Sequence, residues 1–106
     1  MKREQPWIGF VHVQPKGDVN ALGGSFKGAF THVLALAYDS EAYKDRARTA
    51  LEAEDLHVVE FSDIAPVSEY RKDGRVSVEM EALICSLSAE YPVQFDTFDA
   101  YREYDA

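Results

Sequence analysis

Cysteine is almost missing from this chain: Cys85 stands alone, which rules out an internal disulfide and any CxxC metal motif. That usage fits a reducing compartment. Long apolar runs are missing as well, and nothing approaches the roughly 18 residues of a membrane span. The opening "MKREQPWIGFVHVQPKG" begins basic but offers no signal-peptide core before Gln14 and Lys16. The expectation is a cytoplasmic protein that makes no use of a membrane.

Basic residues are scarce: 11 Lys/Arg stand against 19 Asp/Glu, a net charge of −8. Binding a phosphate backbone needs a basic stripe, and no helix here supplies one, so nucleic acid is not an expected partner. The imbalance is also uneven. Residues 1–38 carry four basic and two acidic side chains, whereas residues 39–106 carry seven and seventeen. A surplus of ten negative charges in the second part keeps a protein soluble or docks it on a basic partner.

Catalytic signatures are absent too. There is no GxSxG elbow, and serine, histidine and aspartate are too scattered to nominate a triad. No HxH or HxxxH spacing gathers metal ligands, so neither a metal nor a cofactor is expected. "GDVNALGGSFKGAF" has glycines enough for a phosphate loop, but Lys27 follows Phe26 and a strand comes next. A P-loop needs the lysine directly after glycine, a hydroxyl after it, and a helix to follow. The stretch therefore reads as a long connection, with Phe26 and Lys27 as candidate parts of a lid.

What the chain does have is material for one core. Its 106 residues, 46% of them hydrophobic, suffice for a single domain spanning 1–106 without disulfide or metal support. "WIGFVHV" (7–13) reads as a strand, and "AFTHVLALAY" (29–38) as a central strand. Residues 39–55 turn helical: Asp39 or Ser40 caps them, and Tyr43, Ala47, Ala50 and Leu51 form an apolar stripe. "LHVVEF" (56–61) returns to strand, and the connection after it has room for a short extra strand around Val67 to Tyr70. A second helix starts at Ser77, carries Met80, Leu83, Ile84, Leu87 and Tyr91 on one side, and stops at Pro92. Cys85 reads as a core residue of that helix. "VQFDTF" (93–98) is a last strand, along which Asp96 and Asp99 fall on opposite faces.

The order β-β-α-β-α-β predicts an α/β two-layer sandwich (α+β) of the ferredoxin-like kind, with two helices on one face of a four-stranded sheet. Alanine-rich positions of the second strand suit the helix-covered face. Phe30, His32, Leu34, Leu36 and Tyr38 would then line an open one. A bare apolar face calls for a cover, and a second copy in a two-fold homodimer is the simplest. Trp7 and Tyr101 read as core or interface residues.

Two functions follow. The first is a small acidic interaction protein, homodimeric, that docks a basic protein partner without catalysis. The alternative is a cofactor-free small-molecule-binding protein or enzyme with a histidine-containing pocket on the open face. Phe10, His12, Phe30, His32 and Leu34 would line that pocket. The alternative is motivated by alternation, which puts His12 with Ile8 and Phe10, His32 with Phe30 and Leu34, and His57 with Val59 and Phe61.

Overall fold

In a computed structural model, which describes residues 3–16 and 27–101, the chain forms an α+β fold around one antiparallel sheet. The strands are β1 (Gln5–Pro15), β2 (Gly28–Ala37), β3 (Leu56–Pro66), β4 (Val93–Phe95) and β5 (Asp99–Tyr101). The helices are α1 (Ser40–Ala53), α2 (Val67–Lys72) and α3 (Val78–Ser86). The sheet order is β3-β1-β2-β4, with β5 also paired to β2. Among the described residues no helix is long and apolar enough to cross a membrane.

This differs from the expected ferredoxin-like sandwich in three ways. Among the described residues the sheet has five strands rather than four, and the helices number three rather than two. They also lie on both faces. Odd-numbered residues of the central strands, Val11, Val13, Ala29, Val33, Ala35 and Ala37, pack with Tyr43, Ala47 and Leu51 of α1. Even-numbered Ile8 and Leu34 pack on the other side with Val67 and Tyr70 of α2 and Met80 and Ile84 of α3. The physical cause is the route of the chain. β3 and β4 occupy opposite edges of the sheet, so the segment joining them passes across a face, and its apolar side chains are buried there.

Local chemistry explains the individual elements. Asp39 caps α1 by accepting the Ala42 N–H at 2.9 Å, and Asp55 beyond its end takes a left-handed φ of 59°. The Val67–Tyr70 stretch is helix α2, not an extra strand. Val67 and Tyr70 are its buried residues, three apart as a helix requires, and the carbonyl of Asp63 accepts the Tyr70 hydroxyl proton at 2.7 Å. Helix α3 starts as expected, with Ser77 Oγ accepting the Met80 N–H at 3.1 Å. It ends at Ser86, five residues early, because Leu87 turns extended and a turn follows from Ser88 to Tyr91. Tyr91, expected on the buried stripe, is accordingly 64% exposed. Cys85 is exposed rather than core: it follows buried Ile84, and one residue is about 100° around a helix. Trp7 packs against the α1-side cluster, and its buried indole N–H has no hydrogen-bond partner among the described residues.

Candidate functional site

Helices α2 and α3 cover one end of the even face, and the other end carries a line of half-buried rings. Phe10 and His12 on β1 stand opposite His32 and Phe30 on β2. His12 stacks on Phe30 at 4.5 Å between centroids, and Phe30 lies nearly parallel to Phe10 at 5.5 Å. His32 continues the line 5.0 Å from Phe10 and meets the Tyr70 ring edge-on at 6.3 Å. At the other end His12 Nε2 and the Tyr101 hydroxyl are hydrogen-bonded at 2.6 Å. Four of the five expected pocket residues, Phe10, His12, Phe30 and His32, are thus together. Period-two alternation and a hairpin register put them there.

Leu34 does not belong with them. It is fully buried beneath α2 and α3, because the face taken to be open is covered at that end. His57 is exposed and paired with Gln14 at the far end of β1. It does not share a face with Phe61, since a register shift next to Val59 breaks the alternation. Phe26 and the rest of the expected lid lie outside the described residues. Lys27, at the margin of that segment, is exposed, and its backbone N–H donates to the Tyr101 carbonyl at 2.8 Å. Gly28 beside it is required: a Cβ there would sit 2.5 Å from the Tyr101 hydroxyl and 2.8 Å from the Val13 carbonyl oxygen.

The sheet edge contributes residues that alternation misplaces. Val33 pairs with Phe95 and Phe30 with Asp99, so Thr31 and His32 face three edge residues, 96–98. The extra residue is a β-bulge. The bulge is held by the Asp96 N–H donating to the His32 carbonyl at 3.0 Å and by Thr31 Oγ1 donating to the Asp96 carbonyl at 3.1 Å. One inserted residue changes parity, so side chains three apart share a face. Phe95 and Phe98 both join the α1-side cluster, while Asp96 and Asp99 both reach the even face.

There they border a cleft of about 400 Å³ lined by Phe10, Phe30 and His32 and also by Glu79 of α3. Glu60 stands across β1 from His12. Among the described residues, none of Glu60, Glu79, Asp96 and Asp99 is ion-paired with lysine or arginine. Each acidic side chain in those bridges, such as Glu81 on Arg71 at 2.7 Å, lies elsewhere. A larger groove of about 640 Å³ runs between α1 and Tyr91–Val93. It lies away from the histidines, and the smaller cleft is the better candidate because polar groups converge on it.

No family model matches the chain, and no curated protein or solved structure matches it either. The chemistry of the cleft therefore rests on its own geometry. Among the described residues no cluster of three or more His, Cys, Asp or Glu side chains could hold a metal ion. Ser77 Oγ already serves as an N-cap. His32 ionises below the ordinary histidine range, first because it is half-buried; Asp96 and Asp63 pull its pKa up and Arg75 pushes it down. The cleft thus offers an uncharged imidazole, an apolar floor and a negative rim.

The lowered pKa has a measurable consequence. The native fold binds the His32 proton less readily than the unfolded chain does. The stability tied to neutral His32 is therefore complete above about pH 6.5 and lost as pH falls through the lowered native value. We expect urea unfolding midpoints to fall between about pH 7 and pH 5 more steeply in the wild type than in His32→Gln. Parallel profiles would remove His32 as the cause.

Proposed function

We propose that the protein is a non-catalytic docking domain for a basic protein partner. The observation that carries this reading is the half of the even face that no described residue covers. Its half-buried aromatic line is flanked from β3, from α3 and from the β4–β5 edge by four carboxylates without a Lys or Arg partner among the described residues. Aromatic side chains supply contact area, and an unneutralised acidic rim selects charge and steers encounter. A second copy is a poorer cover than the sequence suggested. Only half a face remains, and two-fold pairing of this surface would set one acidic rim against another. A small-molecule pocket is the second reading, favoured by the half-buried neutral His32, and it uses the same cleft.

Titration of the isotope-labelled protein with pentalysine, followed by amide NMR, tests the docking reading. Shifts should concentrate on Phe10, Phe30, His32, Asp96 and Asp99, and should fade as salt rises from about 0.02 to about 0.3 M. Binding weakened about tenfold by Asp96→Asn with Asp99→Asn is the expected mutational result. Shifts spread evenly over the ion-paired surface of α1, or no shifts at low salt, would overturn it.

A further inference from the structure

The cleft is more than a group of acids. It is a cavity with an aromatic floor, an uncharged imidazole in that floor, and carboxylates from two separate elements. Glu79 comes from the first turn of α3, and Asp96 and Asp99 come from the bulged edge. We propose that it is the anchor pocket for a single arginine side chain of the basic partner, an inference that rests on the docking reading above.

Two properties separate guanidinium from ammonium here. A guanidinium is planar with five donors in a fixed fork, so one head can bond one carboxylate of the rim with two parallel hydrogen bonds and keep donors for another; an ammonium acts as a point charge. It is also the more weakly hydrated of the two, so it gives up less water on reaching a floor of Phe10 and Phe30, and its plane can lie against their rings. The volume of about 400 Å³ has room for the flat head together with part of its methylene stem, which, as for lysine, lies on apolar surface while the charge stays at the rim.

The molecule already contains this recognition at the other end of the same ring line. The Arg75 guanidinium lies 3.9 Å from the Tyr70 ring centroid. It also sits between the carboxylates of Asp63, at 3.7 Å, and Asp73, at 3.8 Å. An aromatic surface with two acids from different segments holds an arginine there. The cleft repeats that chemistry with its cation site unfilled by any side chain of the described residues. Burial keeps His32 neutral, so no positive charge on the floor opposes the incoming one.

Two peptides of equal charge decide the matter: pentalysine, and the same peptide with arginine at its centre. Calorimetric titration at about pH 7.5 and low salt should show the arginine peptide binding roughly tenfold more tightly. That advantage should vanish in Glu79→Gln/Asp96→Asn, while both peptides keep a weaker, equal affinity. Equal affinity of the two peptides for the wild type would overturn the arginine pocket and leave the docking reading standing. So would an arginine advantage that survives the double substitution. Failure of both peptides to bind would overturn the docking reading and the pocket with it. The peptide comparison on the wild type needs no variant, so a folding defect in the mutant cannot obscure the result.

Discussion

Leu34→Ala is expected to destabilise the protein by about 2–5 kcal/mol, the range for removing a buried leucine without collapse of the space it leaves. Leu34 is fully buried and sits among Ile8, Val67, Tyr70, Met80 and Ile84. That cluster is the apolar attachment of α2 and α3 to the sheet, so the cavity opens where two layers meet. Phe30→Ala is the contrast. Phe30 is half-buried on the same strand and the same face, but its ring lies in the uncovered line, so its truncation should weaken peptide binding more than folding. Urea unfolding of both variants makes the comparison. A Leu34→Ala cost under about 1 kcal/mol would return Leu34 to the pocket and remove the helical cover argued for that end of the face.

Gly9→Ala should cost about 2–6 kcal/mol although it adds one methyl group. The methyl would lie 2.7 Å from the Tyr43 hydroxyl, 3.0 Å from its ring and 3.1 Å from Ile64, closer than real contacts allow. Tyr43 cannot retreat. It is fully buried on the sheet-facing side of α1, and its hydroxyl donates to the Val33 carbonyl at 2.7 Å. Overpacking of this kind costs about 1–3 kcal/mol, and a buried hydroxyl pushed off its acceptor adds about 1–3 kcal/mol. Tyr43→Phe removes the clashing atom, so the double variant should be more stable than the sum of single effects predicts, by about 1–2 kcal/mol. Simple additivity in thermal or urea unfolding would place the clash elsewhere. Burial also pushes the Tyr43 phenol's ionisation far up, so the donor is intact throughout the neutral range.

Much of the secondary structure was legible because it depends on neighbours in the chain. β1, β2, α1 and the start of β3 follow from β-branched and aromatic runs, from glycine and proline stops, and from the Asp39 cap. α2 was misread for a reason that is also local. A valine and a tyrosine three apart suit a helix, yet both residue types favour strands, and only the burial of Val67 and Tyr70 on one side decides.

The ring line was legible for the same reason. Alternation with period two is a property of any extended backbone, so Phe10 with His12, and Phe30 with His32, share faces whatever the rest of the fold does. The acidic half of the site was not. Asp96 and Asp99 share a face because of one residue inserted opposite Thr31 and His32. That insertion is set by hydrogen bonds between strands 65 positions apart in the chain.

By itself, then, the sequence determined the period and hence which side chains stand together: the charge surplus, the strands, α1, and the ring pairs. Only the tertiary structure decided which face each helix covers, where the edge strand bulges, and that Leu34 and Cys85 exchange their expected environments, one buried and one exposed. Period is fixed by the backbone of a single segment. Cover and register are fixed by which distant segments pack together, and packing free energy is a property of the assembled chain.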